Sequence, residues 1–236
     1  MSPNLKISIY ADGADVREMR VAAESGIIRG FTTNPTLMRK SGVTDYESFA
    51  REALEVTGDL PISFEVFADD FDEMERQAQL INTWGGSVFV KIPITNTKQA
   101  SSIPLIARLS AAGVKLNITA ILTLDQVRAT VDALDANTPA IVSVFAGRIA
   151  DTGRDPVPLM REAAAIVAKK PKAQLLWASP RELLNVLQAE ECGCHIITVT
   201  NDIVKKLSMV GKPLEELSLD TVKMFYNDAS AAGFRL

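Results

Sequence analysis

Eight short runs of β-branched and apolar residues recur along the chain, at 6–12, 29–32, 61–67, 87–92, 114–119, 140–144, 174–178 and 195–199. Most are followed by a longer stretch in which apolar residues return at helical spacing, at 14–25, 45–56, 70–83, 98–112, 123–134, 156–169 and 180–190. Thr123 with Gln126 three residues later has the form of a capping box and marks one helix start. A parallel strand has to be followed by a crossover, so this alternation predicts an α/β protein, and eight repeats predict a (β/α)8 (TIM) barrel. A doubly wound open sheet is the rival architecture. It is disfavoured because no G-x-G-x-x-G follows any strand. Past the eighth strand, 201–207 and 214–232 read as a short and a long C-terminal helix. No linker-like tract interrupts the 236 residues, so 1–236 is expected to form a single barrel domain with 201–236 as a helical extension.

Composition narrows the function. A net charge of -4 and an aromatic content of 6% argue against a nucleic-acid partner. They leave room for a small phosphorylated substrate, because a few converging donors hold one phosphate whatever the global charge. No segment approaches the ~18 to 20 apolar residues of a membrane span, and no signal pattern opens the chain, so a cytoplasmic location is expected. A terminal helix beyond a complete barrel often covers a subunit or a barrel end, and a homo-oligomer is expected. Cys192 and Cys194, with one histidine in the chain, cannot complete a structural zinc site. No metal and no cofactor are expected.

Barrel enzymes build their sites at the C-terminal ends of the strands. Seven of the eight runs carry polar residues there: Asp12; Thr33 and Asn34; Glu65; Lys91; Asn117 and Thr119; Ser143, with Phe145 at the same parity; and Ser179 with Arg181. An Asp or Asn after a strand is most often a turn or a cap, and a lone serine is often a satisfied core hydroxyl. Lys91 lies within Val88-Phe89-Val90-Lys91-Ile92-Pro93-Ile94, where a lysine must either snorkel outward or bury its amine. An unpaired buried ammonium escapes its cost by becoming a neutral, nucleophilic amine. A lysine facing Asp12 and Glu65 among amides and hydroxyls is equipment for Schiff-base carbon–carbon chemistry.

Four segments carry a resemblance: Gly30-Phe31-Thr32-Thr33-Asn34-Pro35, Val90-Lys91-Ile92-Pro93, Asn117-Ile118-Thr119 and Val144-Phe145-Ala146-Gly147-Arg148-Ile149. Through them the chain resembles the transaldolase family. That resemblance implies imine formation on Lys91 and acid/base work at Asp12. It also implies a water held by Glu65 and Thr119, and a dihydroxyacetone unit bound by Asn34, Asn117 and Ser143, with Thr33 among the substrate-binding residues. Phe145 would shield the site, and Arg148, Ser179 and Arg181 would grip phosphate. Sugar phosphates are the implied substrates.

The length points to the compact branch, which also holds fructose-6-phosphate aldolases and transaldolases for long-chain or sulfonated ketoses. Those aldolases carry glutamine and tyrosine where Glu65 and Phe145 stand, so the resemblance favours a transferase over an aldolase that releases free dihydroxyacetone. Ala11-Asp12-Gly13-Ala14 departs from the pattern, since many relatives have a hydroxyl residue after the aspartate. A catalytically silent sugar-phosphate-binding barrel is the third reading. His195, at the start of its strand, is expected to be structural, and Trp84 and Trp177 to be packing residues, with Trp177 near enough to the phosphate positions to border the pocket. The acidic run 69–73 is expected to be a charged first helical turn.

Overall fold

A computed structural model of the chain describes residues 5–235. Eight strands close a parallel barrel in chain order: β1 (Ser8–Asp12), β2 (Ile28–Thr32), β3 (Ile62–Glu65), β4 (Val88–Pro93), β5 (Leu116–Ile121), β6 (Ala140–Val144), β7 (Ala173–Trp177) and β8 (Ile196–Val199). β1 closes the ring by pairing with β8 in register, Tyr10 opposite Thr198. The described helices are α1 (Val16–Glu24), α2 (Pro35–Lys40), α3 (Tyr46–Thr57), α4 (Phe71–Asn82), α5 (Ile103–Ala111), α6 (Leu124–Ala133), α7 (Ala146–Ala150), α8 (Val157–Val167), α9 (Leu184–Glu191), α10 (Asn201–Lys206) and α11 (Leu214–Ala231). Leu5–Val204 forms one compact unit. Residues 205–235 belong to a second, in which α11 buries none of its residues. No described helix is long and apolar enough to cross a membrane.

Local chemistry explains the helix starts. Asp15, Asp45 and Asp70 cap α1, α3 and α4 by accepting backbone N–H groups of the first turn, and Thr123 with Gln126 makes the expected capping box at α6. Two expected starts were too early. The 98–112 helix begins only at Ile103, because the Asn96 side chain accepts from Lys98 N and Ala100 N and curls 95–101 into a turn closed by a Thr95–Ser101 bridge. Likewise the 180–190 helix begins at Leu184, since Asn185 Oδ1 holds the N–H groups of Arg181 and Glu182. The short helices α2 and α7 were not anticipated.

Side-chain alternation places Tyr10, Phe89, Ile141, Leu176, Ala178 and Ile196 in one apolar cluster, with Phe145 packed against it. Gly30 is needed here. A Cβ at that position would fall 2.5 Å from the Tyr10 ring. The same burial pushes the Tyr10 phenol up to about 12.

Candidate active site

At the C-terminal ends of the strands, a cavity of about 470 Å³ is lined by residues from several strands and the loops that follow them. Asp12, Asn34, Glu65, Lys91, Asn117, Thr119, Ser143, Phe145, Arg148, Ser179 and Arg181 all line it. Thr33 does not. Its hydroxyl turns away and donates to the Ser63 carbonyl at 2.9 Å, and the residue is fully buried. What Thr33 presents to the site is its own carbonyl, which accepts from Lys91 Nζ at 3.0 Å.

Lys91 is 6% exposed, and its ammonium neither snorkels nor stands alone. Glu65 Oε2 lies 3.0 Å from Nζ, an ion pair made possible because β3 and β4 run in register with Glu65 opposite Lys91. The backbone of Glu65 is held as well. Tyr46 Oη, at the start of α3, donates to the Glu65 carbonyl at 2.9 Å. The Tyr46 ring in turn packs against Phe64, Phe67 and Trp84. Gln77 Oε1 then fixes the following turn by accepting from Phe67 N and Ala68 N.

Asp12 ends β1, and burial raises its carboxyl above the usual range. Lys91 opposes that shift most strongly, followed by the Thr32 hydroxyl. Glu65 adds to it, and the Asn34 amide opposes it. Thr32 Oγ1 donates to Asp12 Oδ1 at 2.7 Å and also lies 2.5 Å from Thr198 Oγ1. Asn34 also keeps the ordinary role of such a residue, since its Oδ1 caps α2 by accepting from Leu37 N.

Across the barrel, Ser143 Oγ donates to Asn117 Oδ1 at 2.6 Å, and Asn117 Nδ2 donates to Ser63 Oγ at 2.9 Å. This buried chain fixes which face of the Asn117 amide is which. Thr119 Oγ1 is buried without a hydrogen-bond partner among the described residues, and the residue lines the cavity. An irregularity in β5 lies beside it: Ala120 takes φ 61°, and the β5–β6 register shifts between Ile118 and Ile121.

The rim depends on one close backbone approach. Ser179 follows β7 with φ 56°, and its carbonyl lies against Gly147, where a Cβ would come within 1.5 Å of the oxygen. Only glycine lets the Ser179–Arg181 loop and the short α7 lie together and bring Arg148 and Arg181 to one side of the cavity. Arg181 Nη2 pairs with Asp151. Both arginines are exposed.

Sequence reasoning missed Thr32, Thr198, Ser63 and Lys40. Thr198 follows Ile196 by two residues on β8, so strand parity was the signal that could have added the eighth strand to the seven noted. Trp177 is fully buried and, unlike its neighbours Leu176 and Ala178, does not border the cavity. His195 sits at the opposite strand end, where Nδ1 accepts from Leu175 N. Burial lowers its proton affinity. Asp72 and Glu73 make the expected acidic first turn of α4 behind the Asp70 cap, whereas Asp69 accepts from Thr97 outside the helix. Burial raises the thiols of Cys192 and Cys194.

A sequence model of the family described as "Transaldolase/Fructose-6-phosphate aldolase" matches residues 9–236. A protein named a probable transaldolase, from Dehalococcoides mccartyi, is 34% identical over 209 residues, covering 88% of this chain and 92% of that one. Another protein of that name, from Thermoanaerobacter sp., is 32% identical over 232 residues, covering 98% of this chain and all of its own length. Among solved structures, a dihydrodipicolinate synthase family protein from Coccidioides immitis superposes with a TM-score of 0.60 over the whole chain and 81% of its own, at 14% identity. That last likeness is one of fold.

Proposed function

The chain belongs to the transaldolase/fructose-6-phosphate aldolase family, enzymes of the class I aldolase type, and from that premise we propose that it is a transaldolase-type transferase. It moves a dihydroxyacetone unit from a ketose phosphate, such as fructose 6-phosphate or sedoheptulose 7-phosphate, to an aldose acceptor. The observation that carries this reading is the buried Lys91 ammonium, held between Glu65 and the Thr33 carbonyl in a cavity that Asp12 also lines.

The chemistry follows from these groups. Once its proton has passed to a neighbouring base, Lys91 Nζ adds to the ketose C2 carbonyl, and loss of water from the carbinolamine leaves a protonated imine. Glu65 and Thr119 hold the water that is released here and used again in hydrolysis. The unpartnered Thr119 hydroxyl supports that role, because a buried hydroxyl facing a cavity is satisfied by what the cavity holds. Asp12 takes the proton of the C4 hydroxyl as the C3–C4 bond breaks. The electron pair passes to the imine and gives an enamine, and the aldehyde fragment leaves. A carboxyl raised by burial suits a group that accepts and then returns a proton.

Asn34, Asn117 and Ser143 would orient the hydroxyls of the three-carbon fragment. Arg148, Ser179 and Arg181 would take the phosphate, for which guanidinium forks are well shaped. Phe145 presents a ring without a proton donor, which keeps the enamine waiting for its acceptor.

The test is incubation with fructose 6-phosphate, with and without an acceptor aldehyde phosphate, followed by borohydride reduction. Transfer only with the acceptor, and a reduced three-carbon adduct on the peptide containing Lys91, is the expected result. Free dihydroxyacetone formed as fast as transfer would make the protein an aldolase. Binding without turnover or adduct would make it a silent sugar-phosphate barrel.

A further inference from the structure

Two threonines outside the proposed machinery make a directed chain to Asp12. Thr32 is 3% exposed and Thr198 6%, and they come from β2 and β8, the two strands that flank β1. Each hydroxyl has one hydrogen to donate. An ionised Asp12 can only accept, so the Thr32 hydrogen is committed to Oδ1 at 2.7 Å. The 2.5 Å contact between the two hydroxyls must then be filled by the Thr198 hydrogen. The direction is therefore set: Thr198 to Thr32 to Asp12.

We propose that Thr32 and Thr198 are positioning residues that hold the Asp12 carboxylate ionised and aimed through this chain of two donated hydrogens. A donor that is itself receiving a hydrogen bond is polarised and donates more strongly. Thr198 thus acts on Asp12 without touching it. The described charged groups that also act on Asp12 are Lys91 from β4 and Glu65 from β3, with opposite effects, and the Asn34 amide adds a polar contact. Valine has nearly the shape of threonine, so a valine substitution removes the hydrogen bond while keeping the packing. The catalytic weight of the chain rests on the proposed role of Asp12, but its effect on Asp12 ionisation does not.

The experiment is carbon-13 NMR of protein labelled at aspartate carboxyls, titrated with pH, the Asp12 signal being the one absent from Asp12→Asn. Thr32→Val is expected to lower the Asp12 ionisation constant about tenfold, the size of a lost hydrogen bond to a charged group. Thr198→Val is expected to lower it about two- to threefold, and Thr32→Ser to restore it. With turnover as a second readout, the acid limb of kcat should move to higher pH in both valine variants while KM holds. A folded Thr198→Val protein with an unchanged Asp12 titration would overturn the chain. If Thr198→Val fails to fold, Thr198→Ser must keep the native titration and Thr198→Ala must shift it; any other pattern also overturns the proposal. Because the titration needs no substrate, it stands or falls apart from imine trapping at Lys91, which tests the function.

Discussion

Lys91 Nζ lies 3.0 Å from Glu65 Oε2, and the two side chains are 8% and 16% exposed, so neither charge has much water of its own. Breaking such a pair from one side leaves the other charge uncompensated at a cost of roughly 3–5 kcal/mol when burial is complete. The adjoining cavity reduces that figure here. Lys91→Met is expected to lose about 2 kcal/mol in urea unfolding. Lys91→Met combined with Glu65→Gln should recover most of it. A double variant as unstable as the sum of the two single variants would show that the pair contributes little.

Phe145 packs against the apolar cluster and lines the cavity, and a phenol in its place would bring a proton donor to the enamine. Phe145→Tyr should raise release of free dihydroxyacetone relative to transfer, and adding Glu65→Gln should move the ratio further. Product partitioning at saturating donor with varied acceptor measures this directly.

Asp12 provides a stability prediction whose sign can be worked out. Burial raises its carboxyl in the folded chain, whereas the unfolded chain ionises it near ~3.9. Above that value the native state binds more protons than the unfolded state, so ionised Asp12 subtracts stability as pH rises through the native titration. Asp12→Asn is expected to melt above the parent protein at pH 7. The difference should close as pH falls toward ~4. Bond cleavage should fall by about 10²- to 10⁴-fold in the same variant, the usual size for a general acid/base group.

Thr119 tests the water site. Its hydroxyl has no partner among the described residues, so Thr119→Val removes no hydrogen bond seen there and should leave Tm nearly unchanged. If the hydroxyl helps Glu65 hold the water of imine formation and hydrolysis, kcat should fall by about 10²-fold. A loss of stability with turnover intact would instead make Thr119 a packing residue.

Arg148 and Arg181 should matter only to phosphorylated donors. Either change to alanine is expected to cost on the order of 2 to 4 kcal/mol in kcat/KM for such a donor, the range for a charge-assisted bond to an anion, and much less for an unphosphorylated one. Asp151 competes for the Arg181 guanidinium. Asp151→Asn should therefore lower KM for the phosphorylated donor. Equal losses with both donor types in the arginine variants would assign these residues to the fold.

The alternation of runs along the chain specified an α/β fold of parallel strands, because a parallel strand requires a crossover, and the count of eight together with the missing G-x-G-x-x-G favoured the barrel over an open sheet. Side-chain parity along each strand also pointed to the polar strand ends, and Asp12, Glu65, Lys91, Asn117, Thr119 and Ser143 do meet in one cavity. Capping chemistry is local and was read directly, as at Thr123 and Gln126. The helices α2 and α7 escaped because one or two turns are too short to show a period.

Closing the ring decided the rest. Thr33 and Lys91 meet 58 positions apart in the chain, and the Thr33 side chain turns to Ser63 while its carbonyl takes the ammonium. Thr32 and Thr198 meet across 166 positions, since β8 pairs with β1, and no local pattern announces that contact. Gly147 looked like part of a motif in the sequence. Its physical reason is the Ser179 carbonyl lying where a Cβ would be, a contact between two βα loops that only the folded barrel brings together.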